Sequence, residues 1–155
     1  MVQSPGGEGG GGVCDAAARR YWDGMNRRDI DYALEQFSDE IFFQDMMFPD
    51  AFVGKEKLRS HFKACLDGFP EGLVFVIDEI SVDAGDGKCG AYWHCETPEG
   101  KAFPFSRGLS FYKCDGKRFF SSLSFAAHRV WRRWCRRVEP TRARTRTCAR
   151  GLTCC

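Results

Sequence analysis

Residues 73–96, LVFVIDEISVDAGDGKCGAYWHCE, contain the change of pattern that decides the fold. Alternating residues on both sides of the Gly85-Asp86-Gly87 turn predict two antiparallel strands, over 73–82 and 88–96. On the second strand, the face with Cys89 and Trp93 is apolar, and the face with His94 points the other way. The same two-residue period returns over 103–113 and 118–126, so we predict a four-strand meander.

Helical periodicity precedes these strands. Apolar residues spaced by three and four predict helices over 14–26 and 55–69, and Asp29 can cap a short helix over 30–37. A short strand is predicted over 41–48. Helices followed by a meander are typical of an α+β domain. We therefore predict a cone-shaped, curved antiparallel sheet wrapped around three N-terminal helices, with an apolar pocket beneath them.

Charge is segregated along the 155 residues. The net charge of +2 combines −1 in residues 1–12, −5 in residues 13–126 and +8 in residues 127–155. We predict a disordered Gly-rich lead over 1–12, one domain over 13–126, and a disordered basic Arg/Cys-rich tail over 127–155. The 14 Phe of the chain favour either a dense core or a lined cavity.

The tail begins with an amphipathic pattern in which Trp131 and Trp134 lie among arginines. Such a segment could contact a membrane surface, an acidic partner or nucleic acid, but we favour a disordered extension. Nucleic-acid binding is not predicted as the main role, because the parent domain is acidic and carries no nucleic-acid motif.

The nine cysteines show neither a CxxC pair nor metal-ligand spacing. Cys65, Cys89 and Cys95 have apolar neighbours and are predicted to be buried free thiols. There is no secretory signal, no Gly-rich phosphate loop and no G-x-S-x-G motif. We predict an intracellular protein in a reducing compartment, without a metal or a cofactor.

Five motifs follow one another from Arg20 to Phe62: an R-Y start, an N-x-x-D-x-D break, an F-x-D-D/E strand entry, an acidic residue ending that strand and a G-x-x-x-[IL] helix. With these motifs, the segment resembles the opening half of SnoaL-like and ketosteroid-isomerase-like domains. Phe103-Pro104-Phe105-Ser106 and Trp93-His94 are also similar to plant and algal plastid members, so a plastid is one possible compartment. The resemblance implies a homodimer through the convex sheet face.

The resemblance also implies site residues. It places a general base at Asp45 and an oxyanion-binding phenol at Tyr21. The family's second acid matches Gly108, and a supporting tyrosine matches Phe62. Because two of the four expected groups are missing, we do not expect steroid isomerisation by that mechanism.

The residues themselves support a pocket. Asp45 shares a strand face with Ile41 and Phe43, so its carboxylate must be paired, neutral or at a mouth open to water. The alternative for Asp45 is a solvated strand-end aspartate. For Tyr21 the alternative is a core tyrosine bonded to a backbone carbonyl, which the absence of its supporting partners favours. The residues predicted to contact a ligand are Phe43, Phe62, Trp93, Leu123 and Phe125.

Three function classes follow. The leading hypothesis is binding of a small apolar molecule, with cofactor-free acid/base catalysis of the isomerase, cyclase or hydratase type. The alternatives are a non-catalytic carrier or sensor of a hydrophobic ligand such as a pigment, and a protein-interaction module.

Overall fold

The structure is a computed structural model that describes residues 12–83 and 87–126. The predicted tail, the lead up to residue 11 and part of the Gly85-Asp86-Gly87 turn lie outside the described residues. In chain order the elements are α1 (Val13–Asn26), α2 (Ile30–Leu34), β1 (Phe37–Asp45), β2 (Phe52–Val53), α3 (Lys55–Gly68), β3 (Val74–Asp83), β4 (Lys88–Glu96), β5 (Gly108–Cys114) and β6 (Phe119–Ala126).

The strands form one curved sheet in the order β2-β1-β6-β5-β4-β3, which confirms the predicted α+β class. The described strands make five pairings, and four of them are antiparallel. The pairing of β1 with β6 is parallel, because the chain leaves β1 through α3 and the meander before it returns beside β1. No helix in residues 12–83 or 87–126 is long and apolar enough to cross a bilayer.

The core lies between the helices and the inner face of the sheet. Tyr21 and Trp22 of α1 are buried against aromatic rings of the sheet, such as Phe37 and Trp93. Tyr112 and Phe119 stack with ring centroids 4.5 Å apart. Buried aromatic pairs of this kind add about 0.5–1.5 kcal/mol each to the effect of burial, so this cluster fixes how α1 lies on the sheet.

The break between α1 and α2 anchors both helices. The Asn26 side-chain amide donates to the Phe75 carbonyl over 2.9 Å and accepts from the Phe75 N–H over 2.7 Å. Asp29 caps α2 by accepting from the Tyr32 N–H. The Arg28 guanidinium donates to the Leu66 carbonyl of α3 over 2.8 Å. The polar residues of this break therefore fix the positions of all three helices.

The two-residue period of the last strand would place Phe119, Leu123 and Phe125 on one face, but the strand register separates them. Cys114 pairs with Phe119, but the preceding residue, Lys113, pairs with Ser121, so one extra residue is inserted in β6. This bulge reverses the alternation. Phe119 is fully buried, whereas Leu123 and Phe125 are 46% and 50% exposed on the outer face.

Candidate functional site

A small hollow lies between the inner face of the sheet and helices α1 and α3. Its volume is about 50 Å³. Pockets that hold drug-sized ligands have volumes of about 300–1,000 Å³, so this hollow has room for only a few waters or one small group. Its lining is mostly apolar and consists of Tyr21, Trp22, Met25, Phe43, Asp45, Met47, His61, Phe62, Cys65, Phe69, Phe75, Trp93, Ser124 and Ala126.

A larger open groove lies beside the hollow, between the β1–β2 loop and α3. Its volume is about 720 Å³, and its walls combine Phe48 and Phe52 with Lys57 and Ser60. His61 belongs to the lining of both cavities. The His61 ring therefore stands at the boundary between an apolar interior and an open, amphipathic groove.

Asp45 and His61 form a pair at this boundary. Asp45 ends β1, and its Oδ2 lies 3.3 Å from His61 Nε2. Its Oδ1 accepts the Met47 N–H over 2.9 Å. The Asp45 side chain is 19% exposed and that of His61 only 5%. An aspartate on an apolar face must be paired, neutral or open to water, and in the structure Asp45 is paired with His61.

The His61 ring is itself held by aromatic packing. It stacks on Phe52 with a centroid distance of 4.0 Å and meets the edge of Phe48 at 5.0 Å. Cys65 Sγ, one helical turn further on, lies 3.6 Å from His61 Nε2. His61 is not among the site residues predicted from the sequence. His61 lies three residues after Leu58 and four before Cys65, and this helical spacing indicates that its side chain lies on the buried, apolar face of α3.

Tyr21 is a buried phenol that faces the same hollow. Its ring contacts Phe37 and Phe62, and none of the hydrogen bonds among the described residues involves its hydroxyl. Burial raises the pKa of Tyr21 well above its ordinary value of 10.0, and the nearby Tyr112, Cys65 and Asp45 raise it further. The hydroxyl therefore stays protonated at neutral pH and can act as a hydrogen-bond donor.

The structure brings together most of the residues predicted for the site. Phe43, Phe62 and Trp93 line the hollow with Asp45 and Tyr21, and their roles in binding and catalysis stay predictions. Placing Leu123 and Phe125 in the pocket was wrong, because the bulge in β6 turns Ser124 and Ala126 inward in their place.

The sequence also matches a known family over most of the described domain. Residues 18–121 match the SnoaL-like domain. The chain belongs to the SnoaL-like domain family. Among curated proteins, none matches this chain.

Solved structures that resemble this SnoaL-like domain share its fold. A protein of unknown function with a cystatin-like fold from Methylobium petroleophilum is 20% identical with a TM-score of 0.60, over 76% of this chain and 77% of its own. A candidate ketosteroid isomerase from Kribbella flavida is 13% identical with a TM-score of 0.59, over 76% and 79%. A candidate polyketide cyclase from Sinorhizobium meliloti is 16% identical with a TM-score of 0.58, over 70% and 93%.

Trp93 explains why this SnoaL-like domain has glycine at position 108. The Trp93 indole N–H donates to Ser110 Oγ over 3.0 Å, which fixes the ring across the neighbouring strand. A Cβ on Gly108 would lie 2.2 Å from Trp93 Cζ2. The indole therefore fills the space that a side chain at position 108 would need, including the second acid implied by the resemblance.

His94 forms a separate charged cluster on the outer face of the SnoaL-like domain. Its Nδ1 lies 2.9 Å from Asp78 Oδ2 and its Nε2 lies 2.9 Å from Glu96 Oε1, while Arg107 donates to the same Asp78 oxygen over 2.9 Å. Burial lowers the His94 pKa, but the hydrogen bonds to Glu96 and Asp78 outweigh it and raise the pKa above 6.5. An imidazole with a carboxylate on each nitrogen is best satisfied as the cation.

This cluster predicts a pH-dependent stability. Because the folded pKa of His94 is raised, its contribution is complete below pH 6.5 and is lost as the pH rises through the folded value. We expect the free energy of unfolding, measured in urea between pH 6 and pH 8, to fall more steeply with pH in the wild-type protein than in His94→Gln. Equal slopes in the two proteins would contradict the prediction.

Proposed function

We propose that this SnoaL-like domain binds a small, largely apolar molecule at the mouth shared by the hollow and the groove, and that Asp45 exchanges a proton with it. The observation that carries this proposal is the Asp45–His61 pair. It sets an oriented carboxylate at the edge of an apolar space, within 3.3 Å of a buried imidazole. Perturbed or paired titratable groups in such a place are typical of acid/base sites.

The sizes of the two cavities suggest how a ligand is held. A hollow of about 50 Å³ accepts only the reacting end of a molecule, whereas a groove of about 720 Å³ can hold its body. Phe48 and Phe52 would contact the apolar part in the groove. The hollow as it stands is too small to enclose a pigment, which favours the catalytic hypothesis over the carrier.

The roles of the side chains follow from their chemistry. The Asp45 carboxylate would take a proton from a carbon next to a carbonyl group and return it elsewhere. Tyr21, which is neutral and unpaired among the described residues, would donate to the oxygen as negative charge develops. His61 would act as a positioning residue for the carboxylate. Isomerisation and aldol-type cyclisation share this first step, and two structural neighbours carry isomerase and cyclase names.

The experiment that tests the proposal measures proton exchange directly. The full chain is incubated in D₂O with a panel of small cyclic ketones, enones and β-dicarbonyl compounds, and deuterium at the carbon next to the carbonyl is followed by NMR. We expect exchange above the buffer rate for at least one compound, with saturation at increasing concentration. If every compound exchanges at the buffer rate and none is retained in native mass spectrometry, the proposal is wrong.

We also propose that two copies pair through the outer apolar surface, which we define as Phe42, Leu109, Phe111, Phe120, Leu123 and Phe125. These side chains are between 44% and 57% exposed. Leu109 lies opposite Phe125 and Phe111 lies opposite Leu123 on neighbouring strands, and Phe42 pairs with Ser121, the residue after Phe120. Soluble monomers rarely expose such a cluster of large apolar residues, and a second copy of the same surface would cover it.

Leu123→Asp tests this surface. A carboxylate buried at the centre of the interface should weaken self-association at least about 100-fold, because an unpaired buried charge is strongly unfavourable. Sedimentation velocity is expected to show a dimer for the wild-type protein and a monomer for the variant. Val82→Asp, at an exposed apolar residue of β3 outside this surface, is the matched control and should leave the dimer intact. A monomeric wild-type protein at micromolar concentration would contradict the proposal.

A further inference from the structure

Three thiols meet at one end of the sheet, away from the Asp45–His61 pair. Cys14 lies in the first turn of α1, and Cys89 and Cys114 lie on β4 and β5. All three are buried: Cys14 is 3% exposed, Cys89 1% and Cys114 6%. Cys14 also lies close to Gly87 at the start of the β4 hairpin, with its Sγ 3.7 Å from the Gly87 carbonyl oxygen. The cluster joins the N-terminal end of α1 to the hairpin of β4 and β5.

Within this cluster, Cys14 and Cys89 are unusually close. Their Sγ atoms are 2.9 Å apart, and Cys89 Sγ lies 3.5 Å from the Cys14 carbonyl oxygen. The Cys14 thiol donates to Cys89 Sγ in this contact, which is shorter than the separation of about 3.5–4.0 Å that is usual between non-bonded carbon atoms, although sulfur is larger than carbon. A disulfide bond is about 2.05 Å long. Both residues are free thiols here, and only a small movement separates them from bonding distance.

We propose that Cys14 and Cys89 are the site of a reversible disulfide that forms when the protein meets a peroxide. The bond would join two positions 75 residues apart in the chain and tie the first turn of α1 to β4. The same helix carries Tyr21 and Trp22, and the same strand carries Trp93, all of which line the hollow. Oxidation would therefore fix one wall of the hollow against another.

The order of reaction follows from accessibility. Burial raises the pKa of both thiols, so neither is a reactive thiolate while the site is closed. Cys14 follows Val13, which is 48% exposed, and the first turn of a helix opens more readily than the middle of a sheet. Cys14 is therefore the thiol that meets the oxidant.

The chemistry balances in two steps. The Cys14 sulfur attacks hydrogen peroxide, the O–O bond breaks, and the products are a sulfenic acid and water. The Cys89 sulfur then attacks the Cys14 sulfur, the S–O bond breaks, and the hydroxyl group leaves as a second water with the Cys89 proton. Overall, two thiols are oxidised to a disulfide and one peroxide is reduced to two waters.

The experiment uses the full chain with Cys135, Cys148, Cys154 and Cys155 replaced by serine, so that the tail cannot compete. After treatment with hydrogen peroxide, non-reducing peptide mapping should find Cys14 linked to Cys89, in this protein and in its Cys114→Ser variant. The melting temperature should rise by about 10 °C and return to its starting value with dithiothreitol.

Two single variants test the order of reaction. In Cys89→Ser, a sulfenic-acid-specific probe such as dimedone should label Cys14, because the second thiol is absent. In Cys14→Ser, Cys89 should stay unlabelled under the same conditions. A Cys14–Cys114 link, labelling of Cys89 alone, or two reduced thiols after treatment of the folded protein would each overturn the proposal.

Discussion

The Asp45→Asn variant is expected to exchange protons with a responsive carbonyl compound at least about 100-fold more slowly than the wild-type protein, because an amide cannot accept the proton. The amide keeps nearly the same shape and an oxygen that can still accept the Met47 N–H. Fold and ligand affinity should therefore change little. NMR exchange rates in D₂O, together with the melting temperature, measure both quantities on one sample.

Asp39→Asn is the matched control. It makes the same chemical change on the same strand, at an aspartate whose side chain is 79% exposed and paired with Lys55. Its exchange rate should equal that of the wild-type protein. His61→Asn should retain more activity than Asp45→Asn, because His61 positions the carboxylate. If His61→Asn proves the slower of the two, the imidazole carries the proton and the role given to Asp45 is wrong.

Gly108→Ala is expected to destabilise the fold by about 1–3 kcal/mol, the usual effect of adding a methyl group to a well-packed interior. The new Cβ would lie within 2.6 Å of three atoms of the Trp93 indole. The indole is buried and held by Ser110, so it cannot move aside without losing a hydrogen bond. Urea unfolding followed by circular dichroism gives the free energy of unfolding.

The control for this change is Gly90→Ala, on the strand paired with β5. Its added Cβ would meet only Phe111, at 3.8 Å, so we expect a change within about 0.5 kcal/mol. A Trp93→Leu variant frees the space above position 108. If the clash is the cause, the double variant Trp93→Leu/Gly108→Ala should lose less stability than the two single variants added together. Strict additivity would show that the two positions do not interact.

The two faces of the sheet carry different kinds of side chain. The inner face at β4 consists of small or aromatic side chains, such as Ala91 and Trp93, and the outer face carries the His94 cluster. Neighbouring β5 and β6 instead expose Leu109 and Phe125. The proposed dimer would therefore cover an apolar half of the outer face and leave a charged half beside it.

Much of this architecture could be predicted from local patterns. The apolar stripe from Leu58 to Leu66 gives α3 its buried face, and the alternation from Cys89 to Cys95 gives β4 its inner face, because each pattern depends on the period of a single element. Asp45 was placed on the inner face of β1 by the same reasoning, and the order of helices and strands set the fold class.

Other features depended on contacts between segments far apart in the chain. The extra residue in β6 is defined only by its pairing with β5, so alternation alone placed Leu123 and Phe125 on the wrong face. The meeting of Asp45 with His61 depends on how α3 packs on β1, and the size of the hollow depends on how completely aromatic rings from five elements fill it. A sequence period describes one element at a time, whereas strand register, side-chain pairing and cavity volume arise only when elements pack together.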